Sequence, residues 1–360
     1  MNDSLRNRGV LPRFLSFVVK RSGKVKPFKV PDDIIEAKTI LFIDSGDLTD
    51  ILFYTPLVNY FHKRFPSIKS VMLTEESHIA VVKGLMKVNV IISYRSDQLK
   101  IYKADYFALM NKVKEKNADA AILFQDGFSL ERHLLASSSG ARIRVGVSNP
   151  LSFPFINFEI RLSSNGYEGK KSEKVLNALG LKKEDMWSPP SLSPQDLNHA
   201  RQLLHFRKPE KQVLTVGLDP GRSKTKHNII PDVIAYLSNN LAGRRKVKFI
   251  VLTFPRVERL LNELLSKLKG EVIDLVPENL METIAFISQC DLFISGNTDL
   301  FHYAAMLGTP TIGLFTRYDD ARWIPEEMGN VRIIKGSKGE KLSLKDFFIK
   351  VEEVLSFKDS

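Results

Sequence analysis

The feature that most restricts the fold of this chain is a recurring alternation. Short, almost wholly apolar runs are each followed by a turn, and then by a stretch with apolar residues at helical spacing. Lys38–Ile43 (KTILFI) reads as a buried strand and Asp50–Phe65 as the helix after it, with further strands at Ser70–Leu73, Val90–Ser93 and Ala120–Phe124. Apolar runs without in-out alternation mark strands covered on both faces, and strands alternating with helices build a mostly parallel sheet. Residues 187–210 interrupt the rhythm: WSPPSLSPQ is rich in Pro and Ser and reads as a linker. A second series follows, with strands at Val213–Gly217, Lys248–Leu252, Val272–Asp274, Leu292–Ser295 and Thr311–Phe315. A terminal helix runs from about Leu344 to Phe357, opened by Ser343 and Asp346 in a capping-box-like pair. At 360 residues the chain is too long for one core. The expected class is α/β, with two Rossmann-like parallel-sheet domains facing across a cleft. The first covers residues 38–186 and the second 211–360, with a basic extension over 1–37.

Composition narrows the function classes less than the pattern narrows the fold. A single cysteine, Cys290, excludes a disulfide framework and a multi-cysteine zinc site, and fits a cytoplasmic setting. The formal net charge of +12 suits nucleic acid, an anionic membrane or an acidic substrate, and does not choose among them. No run reaches the roughly 18–20 apolar residues that span a bilayer. Near the N-terminus, Leu11, Phe14, Leu15 and Val18 share a helical face, with Arg13, Lys20 and Arg21 around it. Such a helix suits an anionic lipid surface, and it suits packing on the protein itself equally well.

In open parallel sheets, ligands bind beyond the carboxyl ends of the strands. Three such loops stand out. DSGDLTD, Asp44–Asp50, follows the first strand and lacks the GxGxxG fingerprint. Its last carboxylate, Asp50, is either a functional acid-base group or an N-cap for the helix that follows. PGRSKTKHN, Pro220–Asn228, gathers Arg222, Ser223, Lys224 and Lys226, which suits a phosphate-bearing ligand or a solvated basic loop. SGNTDLFHYAAMLGTPTIGLF, Ser295–Phe315, ends a strand at Gly296 and starts a helix near Asp299, where backbone N–H groups face an anion. His302 on that helix, taken alone, fits a satisfied structural histidine.

Together these segments resemble glycosyltransferase family 9, the ADP-heptose:lipopolysaccharide heptosyltransferases. ILFIDSGDLTDILFYTP is similar to the family's strand followed by GxxGDxLxxTP, and PGRSKTKH to its PGxSxxxK loop. GARIRVGVS, Gly140–Ser148, is similar to GAxxRIG, and GNTDLFHYAAMLGTPTIGLF to the block that ends AAxxGTP. The match of order and spacing spans about residues 38–355. The resemblance implies a GT-B fold, a nucleotide-sugar donor such as ADP-heptose on the second domain, and an anionic glycolipid acceptor on the first. It implies inversion without a metal, which the absence of a DxD motif fits, and it implies no cofactor and no nucleic acid. The terminal helix would pack back toward the first domain, and the protein would work in the cytoplasm, with contact at the inner face of the membrane.

Carried over by position, Asp50 corresponds to the general base. Lys226 corresponds to a lysine on the donor phosphate or sugar, and Glu258 to an acidic residue near the nucleotide. Thr298 and His302 correspond to donor-site positions, with Ser223, Lys224, Asn297 and Asp299 beside them. The chain departs from the family pattern at Asp44, Thr49, Asn297 and Asp299, and at Thr253-Phe254, where two glycines are expected. A carboxylate such as Asp299 repels a diphosphate unless it points away or is paired. The rival reading is therefore a catalytically impaired relative that binds glycolipid or a partner enzyme.

Overall fold

Both apolar series fold into parallel sheets in the computed structural model. The structure describes residues 27–161, 166–181, 192–207, 213–221, 231–253, 258–273, 277–316, 319–325, 328–336 and 343–358. The chain divides into two units, one of residues 1–164 and 170–188, the other of residues 165–169 and 189–360.

The first unit holds β1 (Thr39–Ile43), β2 (Lys69–Glu75), β3 (Val90–Tyr94), β4 (Ala120–Leu123), β5 (Ile143–Val147) and β6 (Phe158–Ile160). They form one sheet in the order β3-β2-β1-β4-β5-β6, every pair parallel. Around it lie α1 (Asp32–Ile35), α2 (Leu48–Arg64), α3 (Ile79–Leu85), α4 (Ala104–Lys114), α5 (Leu130–Ser138) and α6 (Lys171–Ala178). All five residues of β1 are buried, as expected of a central strand covered on both faces. Leu41, Ile43, Val71 and Leu73 share one core with Tyr106, Leu109 and Val113 of α4.

The second unit holds α7 (Pro194–Arg207), β7 (Leu214–Asp219), α8 (Pro231–Ala242), β8 (Val247–Val251), α9 (Glu258–Leu265), β9 (Glu271–Val272), α10 (Leu280–Gln289), β10 (Leu292–Gly296), α11 (Asp299–Met306), β11 (Thr311–Thr316), β12 (Val331–Gly336) and α12 (Leu344–Lys358). Its sheet runs β12-β11-β10-β7-β8-β9, again parallel throughout. Counted from its own first strand, this is the order of the first sheet. Each sheet therefore reverses its winding between its first and fourth strands, where the loops leave a crevice for ligand. The terminal helix α12 packs on this second sheet, with Phe347, Val351 and Val354 in the core beside Val216, Leu292 and Ile312.

The structure departs from the sequence expectations at three places. The linker region contains α7, because Pro194 takes the first helical turn and Ser193 Oγ accepts from Asp196 N at 3.1 Å. The basic extension is not all extension: Ile34 is fully buried and Asp33 pairs with Arg142, so residues 27–37 belong to the first unit's packing. Edge strands β6 and β12 extend the sheets beyond the strands expected.

One helix contact positions the site. Pro56 lies inside α2, and Ser172 of α6 is inserted into the helix ladder beside it. Ser172 Oγ donates to Phe53 O at 2.6 Å and accepts from Leu57 N at 3.1 Å. The start of α6 is thus tied to the first turns of α2.

Candidate active site

At the carboxyl end of β1 the chain turns through Gly46 at φ 81°, and a Cβ there would lie 2.3 Å from Arg132 Nη2. Only glycine satisfies both the left-handed backbone and the guanidinium pressed against it. Asp47 then caps α2, its carboxylate accepting from Thr49 N at 2.7 Å. The alternative that Asp50 is no more than the N-cap therefore does not hold: Asp50 lies in the first turn, three residues further on.

Asp50 Oδ1 accepts from Lys171 Nζ at 2.6 Å, and the same ammonium reaches Asp126 Oδ2 at 2.7 Å. The Lys171 side chain is 1% exposed and that of Asp126 42%, so the lysine is enclosed while one partner faces water. Burial pushes the Asp50 carboxyl up to about 6; Lys171 opposes this and the neighbouring Asp126 adds to it. Burial disfavours the Lys171 ammonium, yet the two carboxylates together hold it above the ordinary lysine range. A carboxyl titrating near neutrality, enclosed but not capping, has the properties of a general base.

Asp44, one of the departures from the family pattern, is fully buried, and its charge is spent internally. It accepts from Tyr94 OH at 2.6 Å, Thr74 Oγ1 at 2.7 Å and Glu75 N at 3.0 Å, with His78 Nδ1 at 3.4 Å and Arg132 Nε at 4.0 Å. Burial alone would raise its pKa. The hydrogen bonds from His78, Tyr94 and Thr74, and the nearby Arg132, bring it below the usual carboxylate value. Asp44 ties the ends of β1, β2 and β3 together and supports the Gly46 turn through Arg132.

In the second unit, Thr298 caps α11 by accepting from Phe301 N at 3.2 Å and donates to Asp219 Oδ2 at 2.6 Å. Asp219 also accepts from Ser295 Oγ at 2.9 Å and from Gly221 N at 2.9 Å, joining the ends of β7 and β10. Asn297 donates to Asp319 Oδ1 at 3.1 Å. Asn297, Thr298 and Asp299 are half-buried in this one turn. His302 lies one helical turn deeper and is only 2% exposed. Tyr167 OH sits 3.0 Å from its Nδ1, and the Trp323 ring is 5.5 Å away. Burial pushes the His302 imidazole down to about 3, so it is neutral and covered. Glu258 is exposed at the start of α9, which follows β8, two strands from β10. Ser223, Lys224 and Lys226 lie outside the described residues.

Sequence reasoning singled out Asp50 and the Asn297–Asp299 turn, but not Lys171 and Asp126, which meet Asp50, or Asp219, which meets Thr298. A signal for Lys171 did exist. It stands at the head of the stripe Lys171, Val175 and Leu179, and a cation on an apolar face needs a buried partner.

Comparison with known proteins bears on what this arrangement serves. Residues 240–345, which include the Asn297–Asp299 turn, match the model of glycosyltransferase family 9 (heptosyltransferase). The lipopolysaccharide core heptosyltransferase OpsX of Haemophilus influenzae is 21% identical over 298 residues, 80% of this chain and 82% of that protein. The fold is similar to a family 9 glycosyl transferase from Veillonella parvula, at TM-score 0.70 and 15% identity over 89% of this chain and 97% of that one. It is also similar to E. coli heptosyltransferase WaaC solved with ADP-2-deoxy-2-fluoro heptose, at TM-score 0.62 and 18% identity over 89% of this chain and 99% of that one.

Proposed function

We propose that this chain, whose residues 240–345 match the model of glycosyltransferase family 9, transfers a heptose-like sugar from a nucleotide-sugar donor to a lipopolysaccharide-core or related glycolipid acceptor, with inversion and without a metal. The observation that carries the mechanism is the Asp50 carboxyl, held by Lys171 beyond the end of β1. Asp50 takes the proton of an acceptor hydroxyl as that oxygen attacks the anomeric carbon from the face opposite the leaving group. The bond to the nucleoside diphosphate breaks in the same step, through a transition state with oxocarbenium character. Backbone N–H groups at the start of α11, around Thr298, suit a bound diphosphate and would stabilise it on departure. Lys226, Lys224 and Ser223 would add charge and hydrogen bonds to the same phosphates. His302 contributes neutral packing beneath this turn rather than a charge. The donor carried by WaaC supports an ADP-linked sugar, and the name of OpsX supports a lipopolysaccharide-core acceptor.

The test is Asp50→Asn. Asp47 caps the helix, so the substitution leaves the cap intact. Transfer to a glycolipid acceptor is expected to fall about 10²- to 10⁴-fold, as for loss of a general base, while donor binding is kept. In the wild type kcat/KM should be high above pH 6 and fall below it, because the base must be ionised and its carboxyl titrates at about 6. Full turnover by a folded Asp50→Asn protein would remove Asp50 from the mechanism. Absence of turnover with any donor in the wild type would favour the binding-only relative.

A further inference from the structure

The Lys171 ammonium is enclosed between two carboxylates, and one of them has no evident structural task. Asp126 is 42% exposed and sits beyond the end of β4, next to the crevice side of β1. A lysine needed only to offset the charge of Asp50 would be satisfied by Asp50 alone. The groups that act on Asp50 come from three elements: Lys171 at the head of α6, Asp126 in the loop after β4, and the Ser45 hydroxyl in the loop before α2. The first two carry charges of opposite sign, and both touch the same nitrogen.

We infer that Lys171 and Asp126 are positioning residues that act through Asp50: the ammonium clamps the base by Oδ1, and Asp126, by sharing that ammonium, weakens its hold so that the base can still accept a proton. The inference rests on Asp50 being the base. The geometry makes the two residues antagonists. The ammonium favours the Asp50 carboxylate, and so does anything that strengthens its hold. Asp126 repels that carboxylate directly and draws off part of the lysine's charge. Ser172, the next residue, locks α6 to α2 through Phe53 and Leu57, so the lysine arrives at Asp50 from a fixed origin. Asp126 is the partner open to water, its side chain 42% exposed against 14% for Asp50.

The experiment follows the Asp50 carboxyl directly by carbon-detected NMR titration of the full chain, together with the pH dependence of kcat/KM. Lys171→Met removes a cation at contact distance and should raise the Asp50 pKa by about 1–3 units. Asp126→Asn should lower it, and Lys171→Arg should restore much of the wild-type value. The acid limb of kcat/KM should move with the carboxyl in each variant. A merely structural pair would change stability and leave the acid limb of kcat/KM where it was. If Lys171→Met does not fold, Asp126→Asn, at a half-exposed site, still decides. An Asp50 titration that does not move in Asp126→Asn overturns the inference. A carboxyl that moves while the acid limb does not would leave the coupling standing and remove Asp50 as the base.

Discussion

At the scale of single residues, the molecule separates titratable groups by how they are enclosed. His302 is covered by Tyr167 and Trp323 and its imidazole is pushed down to about 3. His133, which meets Ser129 O at 2.7 Å and Ser152 Oγ at 3.2 Å, is pushed down to about 4, again by burial. A group whose folded pKa is depressed contributes stability that is complete above its unfolded value and lost as pH falls toward the folded one. Between pH 6.5 and about 3, His302 should therefore drive acid destabilisation, each displaced unit corresponding to about 1.4 kcal/mol. Asp50 acts with the opposite sign: raised to about 6, it favours the fold below pH 3.8 and loses that contribution as pH rises through 6. Melting temperature against pH should fall less steeply below pH 6.5 in His302→Phe than in the wild type. Parallel curves would mean that the imidazole is not buried neutral.

At the scale of elements, the joint between α2 and α6 depends on one hydroxyl. Ser172 is 2% exposed and serves both a carbonyl and an amide of α2 beside Pro56. Ser172→Ala leaves buried backbone groups to find other partners and should cost about 1–3 kcal/mol, read as a lower urea midpoint at unchanged slope. A neutral result would mean that Leu57 N closes on Phe53 O unaided. The strands were the most legible elements because parallel strands buried on both faces have no alternation to misread, as KTILFI illustrates. Edge strands were less legible: in β12 only Val331 and Ile334 are buried, and β6 has three residues. Helix α7 was hidden by the same Pro and Ser that suggested a linker, although Ser193 and Pro194 are a helix start. The site divided in the same way. Asp50 was legible as a candidate because it lies in a local motif, whereas Lys171, which pairs with it, and Asp126, which pairs with Lys171, are 121 and 76 residues from it along the chain. The function of Asp44 was illegible for that reason too, since every side chain that satisfies it arrives from another element.

At the scale of the whole molecule, charge is the property to test. Residues 1–26 carry seven Lys and Arg against one Asp, and lie outside the described residues. Among the described residues, no helix is long and apolar enough to cross a membrane. Each Lys or Arg near an anionic glycolipid surface would contribute about 1 kcal/mol to contact with it. Deleting 1–26, which spares the packed Ile34, should weaken sedimentation with anionic vesicles more at low salt than at high salt. Equal binding before and after deletion would place the attraction elsewhere in the chain.

The second unit is not continuous in sequence, because residues 165–169 belong to it although the chain then returns to the first. That small loan makes the protein awkward to dissect. A fragment cut at the obvious place, just before residue 189, would keep every strand of its sheet and lose Tyr167. Its His302 would lose one aromatic cover and the hydroxyl that sits 3.0 Å from Nδ1. Such a fragment could fold and still report the wrong protonation for the turn above it. Domain swaps or chimaeras between relatives would inherit the same fault unless the five-residue loan travels with its lender.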